Sequence, residues 1–324
     1  LAVFCEDITG AQKALVQGMR RISDLARMSV LGAVYGTVIS IPVVYFMRER
    51  GLALSLVGVG IMGLLTSWWY ARKVQIVPVR MSFGQIVRES SELIKLGIVF
   101  MSSGLMWMIS AYLVRIIILR KIGVEAAGYY QAAWSLGGLY TGLVFRAMAA
   151  DFYPRLTAVA TNNQECNRLA NEQAEVVLLL ACPGVLATLS LAPLIIELFY
   201  SSKFGPAVEL LRWICLGMLL QVGSWTMSFI VIAKGKKKIF FWAEFFSNLS
   251  LAVFVLLGIS VFSLVGAGIG FCSMYFFYSI GSYLIVRRLS GFEWSTPSIR
   301  LVRTYLPMVL LVVLSPYSST SLNY

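Results

Sequence analysis

The sequence predicts an all-α fold, a polytopic bundle of helices integral to a membrane. The first ground is composition: of 324 residues, 59% are hydrophobic and 13% charged, with a mean hydropathy of +0.80. A soluble domain carries about 25% charged and roughly 45–50% apolar residues. The second ground is that apolar runs recur at close to the ~20 residues needed to cross a 30 Å hydrocarbon core. Such runs must be helical, because each backbone polar group has to be satisfied within its own segment. The third is that the basic residues alternate from loop to loop.

Taken in order, residues 1–27 are mixed in polarity, have no apolar signal-peptide core and read as a cytoplasmic loop. Complete spans are expected at 28–47 and 52–70, joined by the short turn RERG. Residues 79–93 (VRMSFGQIVRESSEL) read as an interfacial amphipathic segment that leads into a span at 96–119. After RKIGVE comes a span at 126–149, then a cytoplasmic helix within 151–174. Spans follow at 176–200, 208–232, 239–262 and 266–286, with SSKFGP and FSLVG as their outer connections. That makes eight complete spans. A partial ninth begins near Tyr305 and stops after about ten residues, roughly half the length of a spanning helix. With Leu1 as the first residue, the chain reads as an internal piece of a longer protein. Pro183, Pro193 and Pro307 are expected to kink their helices.

The net charge of +12 is read by position. Nineteen basic residues, among them Arg20, Arg21, Arg72, Lys73, Lys234, Arg287 and Arg288, fall on one side, against Arg48, Arg50, Arg120, Lys121 and Lys203 on the other. By the positive-inside rule the richer side is cytoplasmic. In AKGKKKIFFWAEFF (residues 233–246), the lysines therefore fix the cytoplasmic end of a helix and reach anionic head groups. A nucleic-acid grip would need aromatics free to stack, and these are committed to a spanning helix.

The chain has no histidine, which removes the commonest metal ligand and general base. Cys5, Cys166, Cys182, Cys215 and Cys272 have neither metal spacing nor a disulfide framework and read as packing residues. No metal, cofactor or enzymatic role is expected. Gly137-Gly138 and Gly266, Gly268 and Gly270 suit close helix packing rather than a nucleotide loop.

Charged residues inside spans cost about 2.5–3.5 kcal/mol at a helix centre on insertion scales and are functional candidates. Arg115 lies near the outer end of its run, where it can line a cavity or snorkel. Arg146 sits one turn inside the cytoplasmic end of its helix and reads either as an interface anchor or as a functional residue. Glu197 and Arg212 flank an outer connection and suit a mutual ion pair. Glu244, about two turns into its span, needs either a proton or a basic partner such as a nearby lysine or Arg146.

Several stretches together resemble a known family. ALVQGMRRISDLARMSVLGAVYG (14–36), LGIVFMSSGLMWMISAYLVR (96–115), AAGYYQAAWSLGGLYTGLVFRAMAADFYPRLT (126–157), LFYSSKFGPAVELLRWICLGMLLQVGSW (198–225) and VIAKGKKKIFFWAE (231–244) are similar to the O-antigen and lipid-linked oligosaccharide flippases. These belong to the multidrug/oligosaccharidyl-lipid/polysaccharide exporter superfamily, and the resemblance runs from about residue 14 to 288. It implies two six-helix lobes around a central cavity, with most of the first lobe missing from this chain. Residues 1–92 would be the end of the first lobe, 93–288 the second lobe, and 289–324 a cytoplasmic link with an extra helix.

The resemblance further implies movement of an undecaprenyl-diphosphate-linked oligosaccharide across a bacterial inner membrane, by alternating access coupled to an ion gradient. Arg115, Arg146 and Arg212 would then hold the diphosphate by charge-assisted hydrogen bonds, and Glu244 would bind the coupling ion. The implied partners are the lipid-linked substrate, membrane lipids, a polysaccharide polymerase and a chain-length regulator, with no nucleic acid. Rival readings are a multidrug exporter of the same superfamily, a membrane glycosyltransferase or polysaccharide polymerase, and a passive structural or channel protein. The short outer connections weigh against the second, which needs a sizeable external loop for its catalytic groups.

Overall fold

The computed structural model describes residues 1–19, 21–74 and 82–320, which form helices and turns with no strand among them. It divides into two units, Leu1–Phe83 and Gly84–Tyr324.

In the first unit α1 (Ala2–Gly18), α2 (Ile22–Met47) and α3 (Glu49–Ala71) pack together. α2 and α3 are antiparallel around Arg48, whose φ of 47° places it in the left-handed region. The turn is tight: a Cβ at Gly51 would lie 2.5 Å from the Val43 carbonyl oxygen, so only glycine fits.

The expectation of a cytoplasmic loop over residues 1–27 is corrected here. Residues 2–18 are helical, and α1 lies parallel to α3 rather than beyond its end. A Cβ on Gly60, midway along α3, would come within 3.3 Å of Cys5 and the Ala2 carbonyl, and Ser67 Oγ donates to Gln12 Oε1. Cys5, Thr9 and Val16 form the buried stripe of α1. Glu6, Asp7 and Lys13 break up the apolar run in the sequence, which is why the helical spacing of the small and apolar residues was hidden.

At the basic end of α3, Arg72 stacks over Trp68 and Trp69 at 5.0 and 4.0 Å, and Lys73 lies over Trp69 and Tyr70 at 5.5 and 4.7 Å. The interfacial aromatic belt thus shields its own cations. Arg21 donates to the Lys73 carbonyl at 3.0 Å and pairs with Asp24 at 2.6 Å.

The second unit contains α4 from Gly84 onward (α4 spans Phe83–Lys121), α5 (Val124–Ala147), a π-helical turn (Met148–Phe152), α6 (Tyr153–Ala158), α7 (Asn163–Ser190) and α8 (Ala192–Phe199). A 3-10 turn (Ser202–Phe204) leads to α9 (Ala207–Ala233), α10 (Lys237–Phe262), α11 (Val265–Ser290) and α12 (Thr296–Thr320). The interfacial segment expected at 79–93 is, from Phe83 onward, the first turns of α4, while 79–81 fall outside the described residues.

Seven of the described helices, α2, α3, α4, α7, α9, α10 and α11, are long and apolar enough to cross a membrane. The span expected at 126–149 forms α5, but its glycines, tyrosines and Gln131 keep it outside the seven. The span expected at 176–200 is two helices, broken at Leu191. Pro183 lies inside α7 without ending it, whereas Pro193 occupies the first turn of α8, where its missing N–H has no bond to lose. The apolar run from Tyr305 is the second half of α12, which starts at Thr296.

Local signals set the helix ends. Asn162 caps α7 by accepting from Glu165 N at 3.2 Å, and Gly291, with φ of 66°, closes α11 in the left-handed conformation. Lys234 does not reach out to head groups. Its Nζ donates to the Ala160 carbonyl at 2.8 Å and to Asn163 Oδ1 at 2.6 Å, tying the α9–α10 link to the start of α7. Lys236 and Lys238 are exposed.

α9 is the central helix of this unit, packed on α5, α7 and α11. Two apolar clusters divide its length. One gathers Ile118, Leu189, Leu210, Ile214, Val255 and Phe271 around its first half; the other gathers Phe152, Leu156, Val177, Ile230, Val286 and Phe292 around its second half. All five cysteines are buried and unpaired by disulfides.

Candidate functional site

Where the two apolar clusters meet, α9 and α11 face each other through polar side chains. On α9 these are Gln221, Ser224 and Ser228; on α11 they are Tyr275, Tyr278 and Ser282, again spaced i, i+3 and i+7. That spacing places each set on one helical face. Gln221 Nε2 donates to Tyr275 Oη at 2.6 Å, and Ser228 Oγ lies 2.9 Å from Tyr278 Oη. Tyr278 in turn donates to Glu244 Oε1 on α10 at 2.7 Å.

α10 carries the carboxylate into this seam about two turns from its basic end. The backbone around Glu244 is held as well: Asn248 Nδ2 donates to the Glu244 carbonyl at 2.8 Å, and Ser110 Oγ of α4 donates to the Asn248 carbonyl at 3.3 Å. Gln221, Asn248, Ser224, Ser228 and Ser282 are all buried. Buried polar groups in an apolar surrounding are costly unless paired; here Gln221 pairs with Tyr275, Ser228 with Tyr278 and Tyr278 with Glu244, while Ser224 and Asn248 donate to backbone carbonyls.

Of the two alternatives for Glu244, a proton or a basic partner, the second would need a nearby lysine or Arg146. The structure supplies Tyr278 instead, and among the described residues no ion pair reaches Glu244. The reason is register. Lys234 is occupied by Ala160 and Asn163, and Arg146 is exposed in the last turn of α5, a favourable place for a cation.

The three arginines do not form one site. Arg115 is exposed, two turns from the Lys121 end of α4. Arg146 stands at the other end of α5, roughly 35 Å along the helix from Gly123 at a rise of 1.5 Å per residue. Arg212 is partly buried near the start of α9, and its Nε has no hydrogen-bond partner among the described residues. The expected Glu197–Arg212 ion pair is absent among the described residues: α8 packs through Ala192 and Ile196, which turns Glu197 to the exposed side. Asp151 pairs with Arg155 at 3.2 Å rather than with Arg146.

Tyr275, Tyr278, Gln221 and Ser228 were not singled out in the sequence. The signal was present as two polar stripes of matching spacing inside apolar helices. Tyrosines and serines at such positions are individually unremarkable in a span, and only the contact between the helices makes them a network.

Beside this network α9, α10 and α11 leave a small cleft lined by Ser228, Val231, Ile239, Phe240, Ala243, Tyr278, Ser282 and Ile285. A larger pocket of about 370 Å³ between α5, α7 and α9 is almost wholly apolar, with Thr141 and Thr188 as its hydroxyls.

The family model described as polysaccharide biosynthesis protein matches residues 1–209. A comparison with curated protein sequences finds no match. Among solved structures, the chain is similar to a MATE protein crystallised in complex with MaL6, with TM-score 0.76 and 15% identity, over 89% of this chain and 67% of that one. It is similar to the outward-facing conformation of a multidrug resistance MATE family transporter of the MOP superfamily, with TM-score 0.77 and 15% identity, over 87% and 66%. It is also similar to the lipid II flippase MurJ in an inward closed conformation, with TM-score 0.55 and 13% identity, over 98% and 73%. The chain spans about two thirds of the length of the two MATE structures. These likenesses show the fold.

Proposed function

The chain belongs to the polysaccharide biosynthesis protein family, and from that premise we propose that it is part of a flippase that moves an undecaprenyl-diphosphate-linked oligosaccharide from the cytoplasmic to the outer leaflet of a bacterial inner membrane. The observation that carries the reading is the family match on a chain whose fold is that of membrane exporters, with a carboxylate inside its second unit that accepts from the Tyr278 hydroxyl. Alternating access supplies the movement, and Glu244 couples it to an ion gradient. A carboxylate that exchanges a cation within a span changes the charge buried there, and so changes the relative cost of two helix arrangements.

Arg115, Arg146 and Arg212 serve as successive contacts for the diphosphate rather than as one clamp, because Arg146 lies toward the end of the second unit opposite the other two. Such a division suits a substrate handed from one membrane face to the other. The lipid-linked oligosaccharide is the partner in this reading, and a polymerase with its chain-length regulator consumes the product. The protein carries out transport and no bond chemistry.

A second reading, export of drug-like cations, draws on the likeness to multidrug MATE structures. The two separate on deletion of the intact gene followed by complementation, scoring surface polysaccharide on a gel and drug resistance in parallel. Restored polysaccharide supports the flippase; restored resistance without polysaccharide overturns it.

A further inference from the structure

The last turn of α3 holds two cations in place without spending their hydrogen bonds. From this we propose that the exposed face of α3 binds one anionic phospholipid, its phosphate on Arg72 and Lys73 and an acyl chain along Trp68, Leu65 and Ile61. The site does not depend on what the protein transports.

The cations are fixed by aromatic rings. Arg72 Cζ lies 4.0 Å from the centre of the Trp69 ring and 5.0 Å from that of Trp68, while Lys73 Nζ lies 5.5 Å from Trp69 and 4.7 Å from Tyr70. Contact with a ring uses the charge of each cation and leaves N–H groups open for an anion. Both side chains are exposed, and among the described residues neither has an ion pair or donates a hydrogen bond. One indole thus gathers two like charges, an arrangement that a bridging phosphate stabilises by charge-assisted hydrogen bonds. Arg21 adds a third cation beside them, since its guanidinium donates to the Lys73 carbonyl at 3.0 Å. Asp24 pairs with Arg21 at 2.6 Å and leaves Arg72 and Lys73 uncompensated.

The rest of the helix face supplies the apolar half of the site. Gly60, Gly63 and Ser67 turn one face of α3 toward α1. Ile61, Leu65, Trp68 and Arg72 follow one another at i, i+4, i+7 and i+11 along the opposite face, where Ile61 is 37%, Leu65 50% and Trp68 52% exposed. From Ile61 to Arg72 the stripe is about 17 Å long at 1.5 Å per residue. Half of a 30 Å hydrocarbon core is roughly 15 Å, so the stripe is one leaflet deep. It runs from aliphatic to aromatic to cationic, the order in which a phospholipid presents its chain, its interfacial region and its phosphate. A zwitterionic head group brings its own ammonium against Arg72 and Lys73, which is why the site selects an anionic one. A free phosphate would use the tip alone.

The test is native mass spectrometry of the full chain, released from detergent micelles that contain phosphatidylglycerol or phosphatidylcholine at equal mole fraction. The expected result is one phosphatidylglycerol kept per chain at collision energies that strip phosphatidylcholine. Arg72→Gln with Lys73→Gln should weaken its binding at least tenfold, about what two head-group cations contribute. Lys236→Gln with Lys238→Gln removes the same charge from exposed positions and should bind like the parent. Trp69→Leu keeps every charge but removes the ring that positions two of them, and should weaken binding roughly threefold. Melting in lipid-free detergent should match the parent in both double variants; if the Arg72 and Lys73 variant does not fold, Trp69→Leu decides. Equal retention of the two lipids, equal weakening by the two double variants, or parent-like binding in Trp69→Leu would overturn the proposal. So would displacement of phosphatidylglycerol by inorganic phosphate or by undecaprenyl diphosphate at equal concentration, which would assign the tip to a free anion or to a polyprenyl carrier.

Discussion

The two ends of the α10–α11 pair are built on opposite principles. At the end joined through Ser263 and Leu264, Gly258 and Gly266 bring the two backbones so close that a methyl on either would collide with the other's carbonyl. Gly270 extends this contact: a Cβ there would lie 2.5 Å from the Phe254 carbonyl oxygen. The surrounding cluster is apolar and includes Val255, Ile259 and Phe271. At the basic end the same helices stand apart, leave a cleft, and meet through Tyr278 and Glu244. One end spends its sequence on dispersion and close approach; the other carries a titratable group with room for water beside it. The comparison teaches that the rigid end fixes the register on which the polar end depends, since a slip of one residue would carry Glu244 away from Tyr278.

The largest effect is expected from the rigid end. Gly266→Leu forces a side chain into the facing backbone, so the cost exceeds the 1–3 kcal/mol typical of overpacking, and the protein should be lost from the membrane or unfold on mild heating in detergent. Normal yield and melting would show that the ends are not coupled through the glycines.

At the polar end, Glu244→Gln keeps the shape and an acceptor for Tyr278, so membrane level and melting should match the parent while export falls at least tenfold, equivalent to about 1.4 kcal/mol. Tyr278→Phe removes the donor to Glu244, and the unpaired carboxylate should lower stability by about 1–3 kcal/mol, with a partial loss of export. Thermal unfolding of both variants separates the two effects. Should Glu244→Gln melt well below Tyr278→Phe, the carboxylate would be structural and the contrast between the ends would disappear.

The smallest stability effects belong to the exposed arginines. Arg115→Ala and Arg146→Ala should each change stability by no more than about 0.5 kcal/mol, as is usual for surface positions, yet each should reduce export. Full export in both would return them to interface anchors.

Much of the helical architecture was legible because a membrane span needs a long apolar run, and that need writes itself into 28–47, 96–119 or 239–262 directly. What escaped was set by contacts between helices. α1 was hidden because Glu6, Asp7 and Lys13 interrupt a stripe that only α3 completes. The break at Leu191 was blurred because Pro183 and Pro193 look alike in sequence, though only the second stands at a helix start. Of the site, Glu244 stood out because a charge within a span is costly. Its partners did not, because a tyrosine or serine in a span costs little by itself. The Glu197–Arg212 pair failed for the same reason in reverse: the two residues are close in sequence but turned to different sides by the packing of α8.

The central claim is that a lipid-linked oligosaccharide crosses the membrane through this protein under the control of Glu244. Its most direct test uses proteoliposomes carrying the full chain and an undecaprenyl-diphosphate oligosaccharide labelled on the sugar, with an impermeant reagent reporting how much label reaches the far leaflet under an imposed pH gradient. The account predicts transfer that depends on the gradient in the parent and is at least tenfold slower in Glu244→Gln at equal protein density. Equal transfer by the two proteins, or transfer no faster than in empty vesicles, would contradict it.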